Sequence, residues 1–153
     1  MVIPVFVHMD TANDCFIRKS VEKVLITKIV ISEFPRYNDF DDNWDTDAIG
    51  LPDIFPMIKD DNSTTLWSSK TSTVTDAIYN NSYEFNIVPA LEITELETAY
   101  DFILYDNDGG NEYMVQRSAN IYIASAGFPS VKSLGYQNDD FQKAIHLEYI
   151  FKK

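Results

Sequence analysis

Short runs of β-branched and aromatic residues, each closed by a cluster of Asp, Asn, Gly or Ser, recur along this chain and constrain its fold more than any other feature. Val24-Leu-Ile-Thr-Lys-Ile-Val-Ile-Ser-Glu-Phe34 is such a run, and its later part, Ile29 to Phe34, mixes apolar and polar positions as a partly buried strand does. Asp53–Lys59, Thr64–Ser69, Tyr83–Val88, Tyr100–Tyr105, Tyr113–Ala124 and Ala144–Phe151 read the same way. Between them stand the turn signals Asp60-Asp61-Asn62-Ser63, Asn80-Asn81-Ser82, Asp108-Gly109-Gly110 and Gln137-Asn138-Asp139-Asp140. The first of these, between two short strands, predicts a hairpin loop. Helical signals are thin. Leu91–Ala99 reads as a helical turn or two, or equally as an edge strand or loop, and Phe141–His146 as the start of a short helical turn. About seven to nine strands at this spacing predict an all-β chain, folded as an antiparallel β-sandwich. Strand alternation nominates Ile29, Ile31, Phe55, Trp67, Phe85, Ile87, Phe102, Leu104, Ile121, Ile123, Leu147 and Tyr149 for the core.

Bulk properties narrow the function classes. A chain of 153 residues suits one domain with a real core, and 45% hydrophobic with 14% aromatic residues argues against disorder. Twelve basic against 24 acidic side chains give a net charge of −12. Phosphate backbones repel such a protein, and no basic stripe interrupts the trend, so nucleic acid is not an expected partner. Anionic lipid is equally disfavoured unless a bound metal changes the local sign. Cys15 stands alone, which excludes an internal disulfide. The apolar runs are too short for a membrane-spanning helix. Met1-Val-Ile-Pro-Val-Phe-Val7 lacks the basic start and small-residue cleavage site of a signal peptide, so the chain is expected to be cytosolic or a mature fragment. Asp10-Thr-Ala-Asn-Asp14 separates this apolar start from the first long strand sequence. Residues 1–21 are therefore read as an N-terminal strand and arm, and 22–153 as the sandwich domain.

Two aspartate-rich turns, both flanked by strand sequence, carry the functional signal. One is Asp39-Phe-Asp41-Asp42-Asn43-Trp44-Asp45-Thr46-Asp47, running on to Pro52-Asp53; the other is Asp106-Asn107-Asp108-Gly109-Gly110-Asn111-Glu112. Crowded carboxylates repel unless a cation sits among them or solvent screens them. Asp106 and Asp108 lie two apart, so an extended segment projects them to one side, and the glycines let the chain turn and present carbonyl oxygens. Calcium takes six to eight oxygen ligands of this kind. An EF-hand does not fit. Counted from Asp106, the sixth and twelfth positions are Asn111 and Arg117; counted from Asp39 they are Trp44 and Gly50. The competing reading is that Asp, Asn and Gly serve turns without any metal, their side chains capping nearby backbone. Trp44 is read as a loop aromatic anchored in the core, in preference to an inserting tip.

The order of these pieces resembles the C2 domain, and more closely the C2-like sandwiches of bacterial secreted and surface proteins. The resemblance rests on Ile31-Ser-Glu-Phe-Pro35, the acidic aromatic loop, Gly50-Leu-Pro-Asp-Ile-Phe55, Thr65-Leu-Trp-Ser68 and Phe102-Ile-Leu-Tyr-Asp-Asn-Asp108, and it covers Val24 to Lys153. It implies a calcium site. Asp106 and Asp108 match the family's Asp-x-Asp, Asp53 its second-loop aspartate with the Asp-Pro order inverted, and Asp45 or Asp47 its first-loop aspartate. Where the family often has one more aspartate, this chain has Asn111 or Glu112. The resemblance further implies attachment to a phospholipid membrane, a glycan or a protein through the acidic loops, in an extracellular or cell-surface setting.

Catalysis has little support. His8 and His146 are the only histidines and sit in no zinc-type or triad-like pattern, and no nucleophile elbow, P-loop or dinucleotide fingerprint occurs. Two readings remain: a non-catalytic calcium-binding module, or a metal-free structural sandwich of a surface or fibre assembly. In either, exposed strand edges offer self-association or strand addition.

Overall fold

Eight strands form among the described residues, and they pair into two antiparallel four-stranded sheets. In chain order these are β1 (Lys23–Ile31), β2 (Ile54–Lys59), β3 (Thr65–Ser68), β4 (Tyr83–Ile93), β5 (Ala99–Asn107), β6 (Asn111–Asn120), β7 (Val131–Leu134) and β8 (Ile145–Lys152). One sheet runs β4-β1-β8-β7 and the other β3-β2-β5-β6. The structure is a computed structural model that describes residues 22–37, 42–45, 50–108, 110–121, 131–134 and 145–152. A single 3-10 turn, Lys70–Ser72, is the helical content of the described residues. The expected antiparallel β-sandwich is therefore present.

The core lies between the sheets. Ile29 and Ile31 from β1, Ile54 and Ile58 from β2, Phe85 and Ile87 from β4, Phe102 and Leu104 from β5, and Ile145 and Leu147 from β8 all turn into it. Of the nominated positions, Ile121 is also buried, Trp67 is half-buried against the core, and Phe55 is buried on the opposite face of its sheet. Ile123 and the side chain of Tyr149 lie outside the described residues. Phe34 and Trp44, both from the chain between β1 and β2, add large aromatic volume to the same core.

Several strand bounds differ from the sequence expectation: β1 ends at Ile31, before Phe34, and β6 spans Asn111–Asn120 where Tyr113–Ala124 was expected. The segment read as a helical turn, edge strand or loop at Leu91–Ala99 divides: β4 continues through Ile93, and a turn then leads into β5 from Ala99. Leu91, Glu92 and Ile93 pair with Ile26, Leu25 and Val24, so the ladder to β1 extends the strand where local sequence is indifferent. β7 is a strand of four residues that carried too little pattern to be read. The Asp60–Ser63 hairpin is present, with the Asp60 carboxylate accepting from the Asn62 and Thr64 backbone N–H groups at 3.0 and 2.7 Å.

Candidate metal centre

β5 alternates, with Phe102 and Leu104 turned into the core, and the next residue of that inward row is Asp106. The strand thus delivers a carboxylate to the lip of the sandwich, where Asp106 is fully buried. Asp106 pairs with Ile54 across to β2. One further rung extends that ladder, because the Asn107 N–H donates to the Asp53 carbonyl at 3.0 Å. Asp106 Oδ1 accepts from the backbone N–H groups of Asp53 and Asn107, each at 2.8 Å. Asp106 Oδ2 is buried with no hydrogen-bond donor among the described residues.

The Asp106 carboxylate has carboxylate neighbours. Asp45, Asp106 and Asp108 each contribute a carboxylate oxygen, and the three lie within 4.8 Å of one another. Asp45 comes from the chain between β1 and β2, and its position follows from Trp44 beside it. The Trp44 ring is buried in the core and its Nε1–H donates to the Pro35 carbonyl at 2.8 Å. Gly50 closes the same loop with φ of 64°, and a Cβ there would stand 2.6 Å from Asn43 Nδ2. Near the loop's start, the Arg36 guanidinium lies over the Tyr37 and Tyr79 rings at 5.1 and 5.5 Å.

The other sequence-nominated residues stand in different relations to this cluster. The Asp53 carboxylate accepts from the Asp76 backbone N–H at 3.0 Å, so it ties the chain after β3 to the start of β2. Glu112 is exposed and pairs with Asp106 across the β5–β6 ladder. Asp47 lies outside the described residues. Sequence reasoning did not find the supporting Asp53, Asn107 and Asp76 amides, but it did read Trp44 as a loop aromatic anchored in the core, and Trp44 is buried there. The tryptophan among aspartates and the glycine closing the loop were the available signals.

Electrostatics agree with the geometry. Burial is the main force pushing the Asp106 carboxyl up to about 6 from an ordinary 3.8, with the Asp45 and Asp53 charges adding and the Asp53 and Asn107 amides opposing. Asp108 is also raised, first by burial and then by Asp106, Glu112 and Asp53, against a hydrogen-bonding contact with Asp45. A buried, underused carboxylate oxygen beside two further carboxylates fits a hard divalent cation taking oxygen ligands, and calcium tolerates such a mixed carboxylate, carbonyl and water set.

No protein-family model matches the chain, and no curated protein matches it. Among solved structures, the chain is similar to a C2 domain of plant extended synaptotagmin 1. The identity is 17% and the TM-score 0.41, over 85% of this chain and 92% of that one.

Proposed function

We propose that the protein is a non-catalytic, C2-like calcium-binding module whose loaded loops attach it to a phospholipid membrane or a protein partner. The observation that carries this reading is the fully buried Asp106, whose Oδ2 accepts no hydrogen bond among the described residues while the carboxylates of Asp45 and Asp108 lie within 4.8 Å. Asp45, Asp106 and Asp108 would hold the ion, and backbone carbonyls and water would complete its shell. Calcium would remove the local negative charge that otherwise keeps an acidic protein from an anionic surface. A secreted or cell-surface setting belongs to the same reading. The alternative, a metal-free structural sandwich, draws on Asp53 and Asp60, whose carboxylates do cap turn amides.

Titration calorimetry and thermal unfolding with calcium decide between them, because an ion that binds only the folded chain must stabilise it. Calcium is expected to release or absorb heat with saturation and to raise the unfolding temperature. Asp106→Asn combined with Asp108→Asn is expected to abolish both responses while leaving the metal-free fold intact. No binding to the unmodified protein at millimolar calcium would overturn the metal reading and leave the structural one.

A further inference from the structure

A small cleft of about 220 Å³ opens between the chain that leads from β1 to β2 and the chain that joins β3 to β4. The buried residues Phe34, Pro52 and Ala77 line it, and Ile78, 47% exposed, stands where it meets solvent. Hydrogen bonds hold its sides in place. The Ala77 N–H donates to the Pro52 carbonyl at 2.8 Å. The Tyr83 hydroxyl accepts from the Ile78 N–H at 2.7 Å and donates to the Ile78 carbonyl at 3.3 Å. Two polar side chains share the apolar lining, the Arg36 guanidinium and the Asn43 carboxamide. Arg36 is exposed and lies over the Tyr37 and Tyr79 rings. The protein has two acidic side chains for every basic one, yet the ion pairs seen among the described residues are made by Lys23 and Lys28, and none by Arg36.

We propose that this cleft binds an apolar monocarboxylate, whose ring or branched chain enters the cleft while its carboxylate meets the Arg36 guanidinium, with the Asn43 amide as a second donor. Lining, size and charge each narrow the ligand. Phe34, Pro52, Ala77 and Ile78 offer apolar surface, so the group that displaces water from them is apolar. The volume falls below the roughly 300–1,000 Å³ of clefts that take drug-sized molecules, so that group is a single ring or branched chain. A guanidinium presents two parallel N–H donors, which match a planar carboxylate. Arg36 is the one cation in the lining, and the net charge of −12 repels anions of higher charge, so a monoanion is favoured over a phosphate monoester. A free small acid and the C-terminal residue of a partner peptide share this chemistry. The inference does not depend on the calcium reading, since Asp45, Asp106 and Asp108 are not among the residues that line the cleft.

Nuclear magnetic resonance titrations of the full chain in chelator test it. The probes are phenylpropionate, its uncharged amide, and an acetylated Gly-Gly-Phe peptide with a free or an amidated C-terminus. The free acids are expected to shift the Ala77 and Ile78 methyl resonances saturably and to leave Ile103 unmoved. Each amide should bind the unmodified protein about tenfold more weakly than its acid, the loss expected for one charge-assisted contact. Arg36→Gln should weaken the acids by about the same factor and leave the amides as they were. Tighter binding of the peptide acid would assign a partner's C-terminus, and tighter binding of phenylpropionate a free small acid. Equal affinity for acid and amide in the unmodified protein, or no saturation with either acid, would overturn the proposal. So would Ile78 shifts that appear only with phosphatidylserine-containing bicelles, which would make the cleft part of a lipid-facing surface.

Discussion

Asp106 is a carboxylate where the strand pattern calls for a core residue, and two amide donors offset only part of the cost of burying it. Its folded pKa of about 6 lies above the ordinary 3.8, so folding favours the protonated form. The sign follows: the stability this group allows is full below about pH 4 and is lost as pH rises through about 6. In chelator, unfolding by urea should therefore show the protein losing stability between pH 4 and pH 7 relative to Asp106→Asn. At pH 7 the variant should be the more stable by about 1–3 kcal/mol, since asparagine keeps the acceptor for both amides and carries no charge. A variant less stable than the parent at neutral pH would mean that burial is not what raises this group.

Among the elements, β1 shows how one residue resets a strand. Val24 and Ile26 are buried, and then Ile29 and Ile31, so the alternation changes phase at Thr27. Against β8, Ile26 faces Tyr149 and Lys28 faces Glu148, so Thr27 is one residue extra; against β4 the partners are Leu91 and Asn86, and there β4 is the longer side. An extra residue of this kind is a β-bulge, and the Thr27 hydroxyl occupies it by donating to the Glu148 carbonyl at 3.1 Å. Replacing Thr27 by Val removes that donor while keeping the β-branched shape. It should cost about 1 kcal/mol, read as a lower denaturant midpoint with an unchanged slope. An unchanged midpoint would show the hydroxyl to be incidental to the bulge. The phase change also explains why the later half of this run read as a half-buried strand and the first half did not.

At the scale of the whole molecule the charge matters more than any pair. With 24 acidic and 12 basic side chains, the folded state gathers a net −12 that the unfolded chain spreads out. Monovalent salt screens such repulsion over about 10 Å at 0.1 M. In chelator, added sodium chloride should raise the unfolding temperature by about 2–4 °C, the shift expected for about 1 kcal/mol in a chain of this size. A flat or falling response would mean that close ion pairs, such as Lys28 with Glu84 and Glu148 at 3.2 and 3.6 Å, outweigh the net charge.

Strand periodicity and turn chemistry are local properties, so the sequence by itself determined the all-β class, the antiparallel sandwich and most of the buried row, including Phe102 and Leu104. It also marked Asp106 and Asp108 as a pair, because a spacing of two reads directly onto one side of a strand. The features it left open depend on contacts between residues far apart in the chain. Only the β1 ladder carried β4 on to Ile93, and only packing showed that β2 and β5 are apolar on both faces. The approach of Asp45 to Asp106 belongs to the same kind: burial of Trp44 in a core built by both sheets brings the first acidic loop over the second, and no local pattern contains that distance.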